Sequence, residues 1–309
     1  MSETEKPGDQ FQIQIGHLPQ EFQDEVLQTV KTYAVGLALE THPDAKKPEL
    51  ELCNLVGSGT LISWSNHFGI LTADHVPRFP KDNRLKLDTR WQSSQRLRLS
   101  FDDRANIFGF EARALRVHTL GEPAGNGLGP DIAVIRLPET EELATLRARK
   151  SFWNLTNRNE EKLEMALDDA GCMVIAGHPA EDIQNVGPIG GFKEATFSPG
   201  IVGFTGRIGY FEQDGLDYID VDSKRTDESR APASYKGVSG GSVWCVPILR
   251  RPGATNSQVQ PGKLTLAGVP FYEFPEEDGR IRIRAHGPRT IYQKLLSHLV
   301  DGATMEASI

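Results

Sequence analysis

From Glu49 onward the sequence runs in short β-like stretches set apart by Gly, Pro, Asn and Asp. That punctuation favours an antiparallel barrel or sandwich over any helical or parallel α/β fold. The first half contributes Glu51–Ser63, Arg96–Phe101, Phe108–Thr119 and Asp131–Leu137. The second half contributes Gly171–Ala176, Gly200–Phe211, Asp217–Val221, Ser242–Ile248, Lys263–Phe271 and Arg280–Ala285. Helical spacing appears only around these blocks. Phe22, Val26, Val30, Tyr33 and Leu37 predict a helix over 21–39, broken by His42–Pro48. The same period marks 140–150, 159–169 and a closing amphipathic helix over 289–300.

With 309 residues, 38% hydrophobic and 25% charged, the chain has ample apolar content for a core. A net charge of −8 argues against a phosphate backbone as its main partner, so no nucleic acid is expected. Residues 1–10 are polar and lack the apolar stretch of a secretory signal, and no run approaches the roughly 20 apolar residues of a membrane span. Cys53, Cys172 and Cys245 sit in apolar, strand-like surroundings, which suits buried free thiols in a reducing compartment. The expected location is the cytoplasm, with no membrane association.

Three segments at the edges of β-like runs carry chemistry. Leu71-Thr72-Ala73-Asp74-His75 closes an apolar run, Asp131 opens Ile132-Ala133-Val134-Ile135-Arg136-Leu137, and Ser239 lies within Gly237-Val238-Ser239-Gly240-Gly241. A serine hydroxyl is a weak nucleophile and needs a base within hydrogen-bond reach. That base in turn needs a carboxylate to fix its tautomer. His75, Asp131 and Ser239 supply the three types. Glycines around Ser239 suit a tight turn whose N–H groups, those of Gly237 and Ser239, converge on a developing oxyanion. The remaining histidines show no zinc-ligand spacing, so no metal and no cofactor are expected. Arg280, Arg282 and Arg284, alternating with isoleucines, read as the solvated face of a strand.

Taken in order, Gly57-Ser58-Gly59-Thr60-Leu61-Ile62, Leu71-Thr72-Ala73-Asp74-His75, Asp131-Ile132-Ala133-Val134-Ile135-Arg136-Leu137 and Gly237-Val238-Ser239-Gly240-Gly241 resemble the trypsin/chymotrypsin-like serine protease family, closest to its stand-alone bacterial-type members. The match covers roughly residues 50–285. It implies an all-β fold of two six-stranded antiparallel barrels with the site between them. The expected organisation is then an arm and helix over 1–48, a first barrel with His75 and Asp131 over 49–140, and a helical connection over 141–170. A second barrel with Ser239 follows over 171–287, and a C-terminal helix and tail over 288–309. The resemblance implies His75 as general base and acid, Asp131 as orienting carboxylate, Ser239 as nucleophile, and Gly237 and Ser239 as the oxyanion hole. It also implies Ala233 as a lining residue of the primary pocket and Leu266-Ala267-Gly268 as the strand that pairs with substrate. Ala233 favours a small or medium apolar substrate side chain.

Two positions depart from the family pattern. Val238 stands where secreted members carry the aspartate that pairs with a newly cut N-terminus, so activation by that route is not expected. Ser242 stands where proline is usual. The substrate expected is a protein or peptide, and helix 21–39 and the polar loops 119–130, 222–236 and 250–262 are candidate surfaces for a regulatory protein partner. Two other readings compete: a protease-fold scaffold with weak catalysis, and a serine esterase. The esterase reading is disfavoured because Ser242-Val243-Trp244-Cys245-Val246 continues as strand where an α/β-hydrolase needs a helix.

Overall fold

The computed structural model describes residues 18–41, 52–78, 95–100, 108–121, 127–157, 171–179, 183–189, 192–197, 200–205, 207–224, 234–250, 259–275 and 280–306. The expected helix over 159–169, Ala233 and most of the N-terminal arm lie outside these residues.

The chain is mostly β. Helix α1 (Gln20–Lys31) buries Phe22, Val26 and Val30 on one side. Strands β1 (Ala34–Thr41), β2 (Leu52–Trp64), β3 (His67–Thr72), β4 (Gln95–Ser100), β5 (Phe108–Glu111), β6 (Arg116–Thr119) and β7 (Ala133–Arg136) follow, then α2 (Glu141–Arg149) and the short β8 (Trp153–Asn154). These strands form an antiparallel sheet in the order β5-β4-β1-β2-β3-β7-β6, with β8 on the side of β2. Thr140 caps α2, its side chain accepting from Leu143 N at 3.4 Å, with Glu141 and Glu142 in the first turn.

The second half holds β9 (Gly171–Gly177), the hairpin β10 (Ile183–Ile189) and β11 (Phe192–Phe197), β12 (Gly200–Thr205), β13 (Arg207–Gln213), β14 (Leu216–Lys224), β15 (Ser242–Arg250), β16 (Val259–Pro261), β17 (Thr265–Pro275) and β18 (Arg280–His286). Its main sheet runs β12-β9-β15-β17-β18-β14-β13, with β16 beside β15. A π-helical turn, Thr290–Leu295, leads into α3 (Leu296–Glu306). Asp217, 2% exposed, anchors that entry by accepting from Arg289 N at 2.9 Å and Thr290 N at 2.6 Å.

Three expectations need correction. The helix over 21–39 stops at Lys31, and residues 34–41 are a central strand paired with both β2 and β4. Val35 and Leu37 are buried on its core face, so the alternation of a strand overrides the helical spacing of Leu37. The runs 108–119 and 200–211 each divide into two strands, at Ala112–Ala114 and between Thr205 and Arg207. The two closed six-stranded barrels are instead two eight-stranded antiparallel sheets. In both, the strands at the two ends of the path are consecutive in sequence, β5 with β6 and β12 with β13. Among the described residues no ladder hydrogen bonds close either path.

One core joins the two sheets. It contains α1, Trp64, Trp153, Val174, Trp244, Leu266 and Ile291. Trp153 stands edge-on to Trp244 at 4.9 Å and donates its Nε1–H to Tyr292 Oη at 2.9 Å. A second core is built on Val35, Leu61, Ile70 and Leu99 of the first sheet and also takes in Leu216, Tyr218 and Phe271 of the second, while a third lies on the second sheet alone around Ile175, Ile219 and Val243.

Candidate active site

Strand register brings His75 and Asp131 together. β3 pairs antiparallel with β7 as Thr72↔Ala133, so the residues just after Thr72 and just before Ala133 leave the ladder side by side. His75 sits in the turn after β3, and the Asp131 carboxylate grips it twice. Asp131 Oδ1 accepts from His75 N at 2.9 Å, and Oδ2 lies 2.7 Å from Nδ1. Asp131 is buried, whereas the His75 side chain is 41% exposed. With the proton on Nδ1, the ring is oriented and its Nε2 lone pair is left to act as a base.

Asp74 has a separate partner. It is fully buried, with Arg78 Nη2 2.6 Å from Oδ2. Burial pushes its carboxyl up to about 6, although Arg78 opposes the shift.

Ser239 lies in the turn Tyr235–Gly241. Val238 N donates to Tyr235 O at 2.9 Å and Gly241 N to Val238 O at 2.8 Å. Gly237 and Gly240 adopt φ of 88° and 82°, which disfavours any side chain there. At Gly240 a Cβ would also collide with Thr72 Oγ1, and would lie 2.8 Å from Ala73 N. The serine turn therefore packs directly on the end of β3, two or three residues before His75. Gly57 closes the other side, since a Cβ there would meet Val76 at 2.7 Å and Ser239 O at 3.0 Å.

Ser58 stitches this arrangement. Its N–H donates to Ser239 O at 2.9 Å, its hydroxyl donates to Gly237 O at 2.6 Å, and the same oxygen accepts from His178 N at 2.8 Å. Val238 is 1% exposed and sits in the second sheet's own core. Apolar burial of Val238 thus anchors the turn beside Ser239. Among the described residues, the N–H groups of Gly237 and Ser239 have no acceptor. The His75 ring and Ser239 Oγ are not joined by a hydrogen bond.

Models of known protein families give no match to this sequence, and curated proteins give none either.

Leu266-Ala267-Gly268 lie on β17 just before the part of that strand that borders Ser239. Leu266 and Ala267 are fully buried in cores, and Leu266 O already accepts from Tyr292 Oη at 3.0 Å. A Cβ on Gly268 would lie 2.8 Å from His286 O. Gly240 N instead donates to Pro270 O at 2.8 Å, which sets Pro270–Glu273 beside the serine. Phe271, Tyr272 and Glu273 line the cleft that Ser239 borders.

Several supporting residues carry no signal in the sequence. The loop that delivers Asp131 is held by the second sheet: Gly129 N donates to Tyr218 Oη at 2.9 Å, and Arg284 Nη1 donates to Gly127 O at 3.0 Å. Arg284 also forms a two-pronged ion pair with Asp220, both contacts at 2.8 Å, and lies over Phe211 and Phe274. Its side chain is only 12% exposed, so it is not on a solvated face as the alternating sequence implied. His286 is buried, stacks on Phe271 at 4.4 Å, and is held down to about 4 by burial, with Asp131 pulling weakly the other way.

Cys172 and Cys245 are free and buried on neighbouring strands. Among the described residues no group of three or more His, Cys, Asp or Glu gathers as a metal site would, and no helix is long and apolar enough to cross a membrane.

Proposed function

We propose that this chain is a serine peptidase of the trypsin/chymotrypsin kind, hydrolysing peptide bonds in a protein or peptide substrate at Ser239. The observation that carries this reading is the pair of hydrogen bonds that the Asp131 carboxylate accepts from His75, set against a glycine turn whose Gly237 and Ser239 N–H groups have no acceptor among the described residues. In this mechanism His75 Nε2 takes the proton from Ser239 Oγ as Oγ attacks the carbonyl carbon. The oxyanion that forms is held by the Gly237 and Ser239 N–H groups, each such donor being worth about 3–4 kcal/mol in comparable sites. Protonated His75 then passes its proton to the leaving amine, and water repeats the sequence to free the acyl group.

The test is labelling with a fluorophosphonate probe. Labelling is expected in the wild type, to disappear in Ser239→Ala, and to fall by orders of magnitude in His75→Ala and Asp131→Asn. Turnover of a peptide substrate should drop by about 10⁴–10⁶-fold in Ser239→Ala. A folded wild-type chain that takes no label would overturn the reading. The absence of a His75–Ser239 hydrogen bond favours a second reading, a protease-like scaffold with weak catalysis. Such bonds are often long before substrate binds. Labelling of Ser239 that depends on His75 would exclude the scaffold.

A further inference from the structure

Against Ser239 lies a cleft of about 280 Å³ with a lopsided lining. Tyr235, Val238, Phe271, Tyr272 and Ile283 give it apolar walls, and two charged residues border it, Glu273 and Lys236. The two charges are not equivalent. Lys236 is exposed, where water and salt weaken its field. Glu273 is half-buried and fixed, since its Oε2 accepts from Tyr235 N at 2.9 Å and from Ser234 Oγ at 3.3 Å. A carboxylate offers about four acceptor sites, and Oε1 has no partner among the described residues. Glu273 pairs across the sheet with Ile283, so it faces away from Arg282 and Arg284, and Arg284 is already bound to Asp220 and Gly127. Among the described residues, no cation forms an ion pair with Glu273.

We propose that this cleft takes the cationic side chain of a lysine or arginine in the substrate and that Glu273 is the residue that selects it. The proposal rests on Ser239 acting as the nucleophile. The alkyl stem lies along the apolar walls, as such stems do on apolar surfaces, and the charged head meets Glu273. A guanidinium gains further from the neighbouring aromatic faces. The selecting charge then comes from β17, rather than from the loop before the serine where Ala233 suggested an apolar preference.

Benzamidine, a flat cation, and benzamide, its neutral near-isostere, are titrated calorimetrically into the full chain and into Glu273→Gln. The glutamine keeps an oxygen for Tyr235 N–H and Ser234 Oγ but removes the charge. Benzamidine is expected to bind the wild type at least about tenfold more tightly than benzamide, as befits a charge-assisted hydrogen bond, and the advantage is expected to vanish in the variant. If Glu273→Gln does not fold, raising salt on the wild type must weaken benzamidine and spare benzamide. Equal binding of the two probes, or an advantage that survives Glu273→Gln or high salt, overturns the assignment. Fluorophosphonate labelling run alongside separates the two claims. Labelling without amidine preference removes the cation site alone, and amidine preference without labelling removes the peptidase reading alone.

Discussion

Ser58 holds the nucleophile turn with one hydroxyl. It donates to Gly237 O, 179 residues downstream of Ser58, and accepts from His178 N, 120 residues downstream. Replacing it with alanine leaves a part-buried carbonyl and a buried N–H without partners, which costs about 1–3 kcal/mol. Ser58→Ala is therefore expected to lower the unfolding free energy by that amount, read as a fall in the urea midpoint. If Ser239 is the nucleophile proposed above, the change should also reduce kcat on a peptide substrate by about tenfold or more, because Ser58 anchors the carbonyl of Gly237, whose N–H is one of the two proposed oxyanion donors. Unchanged kcat in a variant of lowered stability would detach Ser58 from the site. The sequence made His75, Asp131 and Ser239 legible because each ends or opens an apolar run and has a side chain of unambiguous chemistry. It also displayed Gly57-Ser58-Gly59, yet nothing local says where that hydroxyl turns. Glu273 was equally silent, since its role depends on which part of β17 the serine turn meets.

At the scale of elements, the acid of the site belongs to the first sheet but is held by the second. Tyr218 receives Gly129 N–H, and Arg284 donates to Gly127 O, two and four residues before Asp131. Tyr218→Phe removes one tether and Arg284→Met the other. Each is expected to lower kcat by roughly ten- to a hundredfold with a much smaller change in KM, since small misplacements of a positioned group are costly to rate. Losing both together should cost less than the product of the two, because they hold one loop. Steady-state kinetics on the single and double variants reads this directly. Strand identities followed from apolar runs for most of both sheets. They failed at β1, where Tyr33 and Leu37 sit four apart and mimic a helix, although Val35 and Leu37 alternate into the core. Pairing with β2 and β4 decides that segment, and such long-range partners leave no local trace. The hairpin β10–β11 was missed because Gly187-Pro188 reads as a loop.

Across the whole molecule, burial of ionisable groups between the sheets couples stability to pH. His178 follows β9 of the second sheet and packs on Gly36 of the first, with burial pressing it down to about 3 from its usual 6.5. His286 is pressed down to about 4. Between those values and 6.5 the unfolded chain binds a proton at each histidine and the folded chain binds neither, so both contributions make stability fall as pH falls. Asp74 has the opposite sign. Its carboxyl rises from 3.8 to about 6, so the folded chain keeps a proton there that the unfolded chain has lost. Between about pH 4.5 and 6 the unfolded chain thus holds a net excess of about one proton, and stability should rise by about 1.4 kcal/mol per pH unit. His178→Gln removes one of the two histidine protons and should bring that slope close to zero. Asp74→Asn removes the opposing proton and should roughly double it. Urea midpoints across this window test the signs separately: a slope that steepens in His178→Gln, or flattens in Asp74→Asn, would contradict the burial of these groups.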